Sequence, residues 1–228
     1  LLIKETAPTV LARRRGEDIS SSATSWSKLL TRSVIVLFAA QFLANVGRGG
    51  VQGQSGIYVI FAAYAYGLGS VELGGLITAM GFVSIPVTLT AGQIMDRFGR
   101  KRTIVPASAT LGIGLFFMAI VAAYEQPLAL FIGAFVFINL AVSFMAGSMQ
   151  TLGSDIAPAE ARGKFFGVNR LIAEAGSMSN PGVFIIATAT IAGGVGFGSA
   201  FLIMAVCALS SSSLVGFLLR ETLTKVKK

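Results

Sequence analysis

The chain has 228 residues, of which 54% are hydrophobic and only 12% are charged. Soluble domains carry about 25% charged residues, so this composition excludes a disordered chain, a disulfide scaffold and an ordinary soluble enzyme. It has no histidine and one cysteine, Cys207, which excludes histidine-based catalysis, an internal disulfide and a cysteine zinc site. The net charge of +8 suits either a nucleic-acid partner or a membrane surface, and the positions of the charges decide between them.

The first residues are predicted to precede the main folded unit. Residues 1–31 are interpreted as the end of a preceding helix, a central cytoplasmic linker and a short interfacial helix around Trp26, and residues 32–228 as a six-helix bundle. The segments Leu2–Thr6 and Leu218–Thr222 share one pattern: an aliphatic pair, a base, Glu and Thr. This short repeat suggests that a similar six-helix half came before the bundle.

The fold class predicted from the apolar segments is an all-α membrane protein with six transmembrane helices. A bilayer core of about 30 Å requires about 20 apolar residues in a helix. Six segments satisfy this length: Ser33–Tyr66, Glu72–Met95, Thr103–Ala123, Pro127–Gln150, Phe165–Ala192 and Gly198–Leu219. Glycines at the centre of the first segment predict a bend or a break there, and Pro86 and Pro181 predict kinks in the second and fifth.

The basic residues are distributed asymmetrically about these segments. Under the six-helix topology, 17 of the 18 lysines and arginines lie at one face of the bilayer, whereas the opposite links carry only Glu72 and Glu125. The positive-inside rule then predicts a multi-pass protein of the plasma membrane or bacterial inner membrane with both termini in the cytoplasm. The net charge is thereby explained without a nucleic-acid partner.

The strongest motif joins the second and third segments. Residues Gly92–Lys101 read GQIMDRFGRK, which matches every fixed position of the pattern G-x-x-x-D-R-x-G-R-[KR]. At this point the chain resembles the major facilitator superfamily, in which that loop lies between the second and third helix of a half. The resemblance implies the C-terminal half of a twelve-helix transporter, and it implies that this loop gates the cytoplasmic side.

Elementary chemistry suggests a role for each position of this gating motif. Gly92 would permit close helix approach, and Gly99 would permit a tight turn with positive φ. Asp96 would pair with a base or meet a helix N-terminus. The remaining bases of the gating set would contact lipid headgroups or partner carboxylates; they are Arg97, Arg100, Lys101 and, in the equivalent loop before the fifth helix, Arg162.

The fifth segment carries a further resemblance. Gly167–Gly176 contains the spacing G-x-x-R-x-x-x-[DE]-x-G and is followed by Asn180, Pro181 and Gly182. This arrangement is similar to the drug-efflux-like branch of the family, in which a G-P pair follows that stretch. Asn180 stands where that branch usually has glycine.

A polar stripe in the first segment is the candidate substrate site. Arg48 is the only lysine or arginine near the middle of a predicted membrane segment. A charge at that depth must face protein or water. Helical spacing puts four polar residues on its face: Gln41, Asn45, Gln52 and Ser55. In the resembled family the first helix of each half lines the central cavity, so Arg48 is predicted to bind an anionic or hydrogen-bonding substrate group. The alternative is a buried arginine paired with a carboxylate or a carbonyl.

Three other residues have both a functional and a structural interpretation. Asn139, in the fourth segment, would contact substrate or make an interhelical hydrogen bond. Tyr58 would join the outer cavity or an interfacial aromatic belt. Glu174 would carry a coupling proton if it is partly desolvated, or would form a structural pair with Arg170 or a gating loop.

The predicted function is secondary active transport of a small solute by alternating access. The first hypothesis for its direction and coupling is efflux by a proton antiporter. Import of an organic anion, and a non-transporting six-helix remnant or scaffold, are the alternatives. The expected partners are a small-molecule substrate, protons, membrane lipids and the N-terminal half. No catalytic residue, cofactor or metal is expected.

Overall fold

The computed structural model describes residues 30–49, 56–145, 148–157 and 162–219. All regular elements in these ranges are α-helices, which confirms the predicted fold class. In chain order they are α1 (Arg32–Gly49), α2 (Ile57–Tyr66), α3 (Ser70–Phe98), α4 (Arg100–Ala123), α5 (Leu128–Met145), α6 (Ser148–Ile156), α7 (Arg162–Thr190) and α8 (Gly194–Leu218).

Two of the predicted segments are each represented by two helices. The first segment contains α1 and α2, and extended backbone at Gly56 marks a break in the helix directly before α2; residues 50–55 lie outside the described residues. The fourth segment, Pro127–Gln150, contains α5 and the first residues of α6, and the rest of α6 lies in the stretch between the fourth and fifth segments, which was predicted to be a connecting loop. Pro86 and Pro181 lie inside α3 and α7, as predicted, and Pro106 lies inside α4.

Four of the described helices are long and apolar enough to cross a membrane: α3, α4, α5 and α8. The shorter helix α2 is also apolar. Helices α1 and α7 fall outside this group because their sequences combine apolar residues with amides and charges, including Arg48 and Glu174. Among the described helices of 18 residues or more, the two least apolar ones are therefore those that carry the candidate site.

An aromatic core fills the end of the bundle formed by α2, α4, α5 and α8. Phe61 is fully buried at its centre, with ring centroids of Phe131, Phe197 and Phe201 within 5.2–6.2 Å of its own. A second cluster lies where α1, α4, α6 and α7 meet, and includes Leu37, Ile104, Leu152 and Phe165. Its offset and edge-on ring contacts are favourable, so the first cluster stabilises this end of the bundle.

Small residues set the closest helix contacts. Helix α8 packs most extensively against α4, and a Cβ added at Gly198 of α8 would lie 2.8 Å from the backbone oxygen of Ala119. By contrast, α3 buries only Leu73, Ala91 and Met95 over its 29 residues. Most of α3 is thus left for lipid or for another part of the protein.

Candidate functional site

The polar stripe of α1 lies partly inside the bundle. Gln41 is buried, and Asn45 is partly buried with its amide Nδ2 donating to the Gln41 backbone oxygen at 2.7 Å. Asn45 also faces α7, because a Cβ added at Gly176 would lie 3.1 Å from the Asn45 Cβ. Two predicted members of the stripe, Gln52 and Ser55, lie outside the described residues.

Arg48 stands in the last turn of α1. It lies about three helical turns after Leu37 on the same face, and Leu37 points toward Gly153 of α6. The Arg48 Nε atom is buried and has no hydrogen-bond acceptor. Within the part of the chain that the structure describes, no carboxylate pairs with Arg48. The negative end of the α1 dipole offers partial compensation for its charge.

Asn180 of α7 was not predicted as a site residue, although its departure from the family pattern was the signal. Its side chain packs directly against Gly49, where an added Cβ would overlap the Asn180 Nδ2 atom. Nδ2 donates to the Ser177 oxygen at 3.0 Å and lies 3.5 Å from the Asn45 oxygen. The Asn180 Oδ1 atom is buried without a donor. The contact between α1 and α7 therefore holds an unused acceptor, on a side chain that packs against Gly49, and an unused donor on Arg48, the residue before Gly49.

The structure revises the interpretation of two aromatic and amide candidates. Asn139 is partly buried, but its Nδ2 atom donates to the Phe135 oxygen of its own helix at 2.8 Å, so this amide donor makes no interhelical hydrogen bond. Tyr58 is buried, and its ring centroid lies 4.7 Å from that of Phe135. Tyr58 therefore packs in the aromatic core of this half, and its two predicted roles, in the outer cavity or in an interfacial belt, stay predictions.

Glu174 forms the structural pair that was one of its two predicted roles. Its carboxylate contacts the guanidinium of Arg170 one turn earlier on α7. The two side chains are 46% and 72% exposed, respectively, on the surface of this chain. An exposed pair of this spacing contributes little stability, about 0.2–0.5 kcal/mol, and leaves Glu174 accessible.

The gating motif is fastened through its later bases. Arg100 pairs with Asp155 of α6, and its Nη1 atom also donates to the Thr151 backbone oxygen at 3.0 Å. Lys101 Nζ donates to the Leu219 backbone oxygen at 2.6 Å, just after α8 ends. The loop between α3 and α4 is thereby joined to both α6 and the end of α8. Asp155 was not predicted as a partner, because α6 was expected to be a loop.

The other motif positions differ in how well they follow expectation. Gly99 has φ of 109°, so the predicted positive φ is confirmed. A Cβ added at Gly92 would meet nothing within 4 Å, so the predicted close approach does not occur among the described helices, because α3 is so sparsely packed. Asp96 is exposed, and within the described ranges it has no ion pair. Arg97 lies 5.7 Å from the Phe98 ring centroid, and Arg162 is exposed at the start of α7.

Metal binding receives no support from the described residues. They contain no cluster of three or more cysteine, aspartate or glutamate side chains that could hold an ion.

The bundle of apolar helices with a polar seam defines an integral membrane protein. The family profile of the Major Facilitator Superfamily matches residues 1–181. The chain therefore belongs to this superfamily and is a membrane transporter of the major facilitator type. No curated protein matches the chain.

Proposed function

We propose that the protein is a secondary active transporter that moves a small solute by alternating access, and that Arg48 binds an anionic or hydrogen-bond-accepting group of that solute. One observation carries the proposal: the buried Nε donor of Arg48 has no acceptor. A buried donor without a partner costs about 1–3 kcal/mol, and a solute acceptor would remove that cost. Asn180 Oδ1, also without a partner, would accept a hydrogen bond from the same solute.

The described helices act in this proposal as the C-terminal half of a twelve-helix transporter. Helices α3 and α7 would face the other half, and their low burial supports this assignment. Helix α3 buries three residues and α7 buries six, although each has 29. Substrate sites between two such halves are a known solution for transporters.

The proposed orientation places the basic end of the bundle, with Arg100 and Lys101, in the cytoplasm of a plasma or bacterial inner membrane. The asymmetry of the lysines and arginines supports it. Single cysteines would test it in a Cys207→Ser background, which has no other thiol. An impermeant maleimide added outside cells should label Glu125→Cys and leave Arg97→Cys unlabelled; the reverse pattern would refute the orientation.

Two directions of transport remain distinct hypotheses. Proton-coupled efflux, as in the drug-efflux-like branch, would use Glu174 as the proton carrier. Its side chain is 46% exposed in this half and pairs with Arg170, so this role requires that the other half of the transporter desolvates it. Import of an organic anion is supported by the unpaired Arg48 donor. A non-transporting six-helix scaffold would need neither residue, so it predicts no solute-dependent effect of either substitution.

The decisive experiment begins with a thermal-stabilisation screen of the purified protein against small solutes, followed by transport of the stabilising solute into proteoliposomes with and without a pH gradient. Arg48→Ala should weaken apparent affinity about 10–100-fold, the range expected for a lost charged hydrogen bond. Arg48→Lys should restore part of it. Arg32→Ala, an exposed arginine at the start of the same helix, is the control. Unchanged affinity in both Arg48 variants would refute its substrate role.

A further inference from the structure

An apolar cleft opens between α3, α4 and α5 at the basic end of the bundle. Its volume is about 770 Å³, within the range of about 300–1,000 Å³ typical of small-molecule sites. Five of the residues that line it present large apolar surface, and one carries a charge. The five are Ile94, Phe98, Pro106, Phe137 and Phe144, the charged residue is Arg102, and Val87 and Leu140 add further apolar surface.

The hydroxyl groups of two cleft threonines are directed into their own helices. Thr90 Oγ1 donates to the backbone oxygens of Pro86 and Val87 at 3.0 and 2.9 Å. Thr103 Oγ1 donates to the Gly99 oxygen at 2.8 Å. Thr110 is the third threonine of the lining. Because most of the lining is apolar and the hydroxyls of Thr90 and Thr103 are already satisfied, the walls of the cleft favour a hydrocarbon occupant over a polar one.

The length of the cleft fits one leaflet of a bilayer. At about 1.5 Å per residue, its lining spans roughly 16 Å along α3, from Val87 to Phe98, and roughly 12 Å along α4, from Arg102 to Thr110. Half of a hydrocarbon core of about 30 Å is about 15 Å. One acyl chain that enters at the basic end would therefore follow the cleft to about the middle of the bilayer.

The charge at the mouth of the cleft is not used elsewhere in the described bundle. Of the three successive bases that open α4, Arg100 pairs with Asp155 and Lys101 donates to the Leu219 oxygen. Arg102 is exposed and lines the cleft. Among the described residues, no carboxylate pairs with Arg102, so its guanidinium is available to an anion at the membrane surface.

We propose that this cleft binds an anionic phospholipid of the leaflet at the basic end of the bundle, with the phosphate on Arg102 and one acyl chain between α3, α4 and α5. The combination of an apolar cleft one leaflet deep and an arginine at its surface end supports a phospholipid over a soluble anion. The site is separate from Arg48 and does not depend on which solute is transported.

A photoactivatable phosphatidylglycerol with a diazirine in its acyl chain would test the site. The purified protein is reconstituted into phosphatidylcholine vesicles that contain this probe, and cross-linked peptides are mapped by mass spectrometry. Labelling should concentrate in residues 87–110 and 137–144, and a phosphatidylcholine probe of the same chain should label them about fivefold less. Even labelling of all membrane-facing helices, or no preference for phosphatidylglycerol, would refute the site and indicate ordinary surrounding lipid.

Two pairs of variants separate the headgroup contact from the acyl cleft. Arg102→Gln should reduce phosphatidylglycerol labelling about fivefold, whereas Arg32→Gln, which removes one exposed charge from the start of α1, should leave it near the wild-type level. Thr90→Phe should fill the cleft and reduce labelling by both probes. Leu89→Phe adds a ring at the adjacent exposed position of α3 and should not. Equal labelling within either pair of variants would overturn the proposal. Absence of labelling in the cleft residues, as expected if another part of the protein covers the cleft, would also overturn it.

Discussion

The seam between α4 and α8 and the seam between α1 and α7 solve the same packing problem with different chemistry. At the first, which we call the apolar seam, Gly198 allows α8 to approach the backbone of α4, and the side chains nearest to Gly198 are alanines. At the second, Gly49 and Gly176 allow close approach, but Asn45 and Asn180 fill the space with amides. The apolar seam also buries the hydroxyls of Ser108 and Ser212, but each donates to a backbone oxygen of α4, whereas the second seam, the polar seam, leaves Asn180 Oδ1 without a donor. The comparison indicates that one seam packs closely with its polar groups satisfied, whereas the other packs closely and keeps a buried polar group that could bind a ligand.

The largest effect is expected from a side chain added to the apolar seam. Gly198→Leu would drive its Cβ to 2.8 Å from both the Ala119 oxygen and the Ala123 Cβ. Overpacking of this kind costs about 1–3 kcal/mol, so the thermal midpoint of the purified protein should fall clearly. The matched control is Gly133→Leu, because a Cβ there meets nothing within 4 Å. Similar midpoints for both variants would contradict the importance of this seam.

The next largest effect is expected at the polar seam, where a double-mutant cycle measures the coupling free energy between Gly49 and Asn180. Gly49→Ala should be destabilising because its Cβ overlaps the Asn180 amide, and that cost should shrink when Asn180→Ala is already present. Coupling energies between contacting residues are about 0.5–3 kcal/mol. Thermal unfolding of the two single variants and the double variant measures the coupling. Gly182→Ala, in open space on α7, supplies a control that should show no coupling to Asn180.

A smaller effect is expected at the loop between α3 and α4. Arg100→Gln and Asp155→Asn should each lower stability by about 1 kcal/mol, the upper end of the range for exposed pairs, since their side chains are 20% and 27% exposed and solvent screens the pair only partly. The double variant should lose less than the sum, because both substitutions break one contact. Strict additivity in thermal unfolding would show that the two residues act separately.

The smallest effect on stability is expected on the exposed face of α7. Glu174→Gln breaks a pair with Arg170 worth about 0.2–0.5 kcal/mol, so the thermal midpoint should barely change. Its transport phenotype should be large if Glu174 carries protons: the variant should lose accumulation driven by a pH gradient and retain solute exchange. A Glu174→Gln protein that still concentrates solute against a pH gradient would exclude the coupling role.

The sequence predicted the apolar part of the fold better than its polar part. Apolar length identified α3, α4, α5 and α8, because a lipid-facing helix needs a long hydrophobic run. It did not identify α6, whose nine residues contain Ser154 and Asp155 and are held by the contact with Arg100. That contact joins positions far apart in the chain, so local pattern carries no trace of it.

The candidate site, like the fold, was predicted in part: its residues on α1 were predicted, and its residue on α7 was not. Helical spacing brought Arg48, Asn45 and Gln41 onto one face of α1, and the structure keeps Gln41 and Asn45 hydrogen-bonded one turn apart. The contribution of Asn180 could not be derived from spacing, because it depends on the crossing of α7 over Gly49. The residue was visible only as an amide where the family pattern has glycine.

The attachment of Arg100 and Lys101 has a mechanical consequence. These two contacts tie α4, α6 and the end of α8 into one body at the basic end, while α3 touches that body sparingly. The chain passes from α3 into this body through Gly99, whose φ of 109° suits glycine and few other residues. If α3 rocks against the rest of the bundle, the change in backbone dihedral angles would therefore concentrate at Gly99, and the gating loop would act as the hinge.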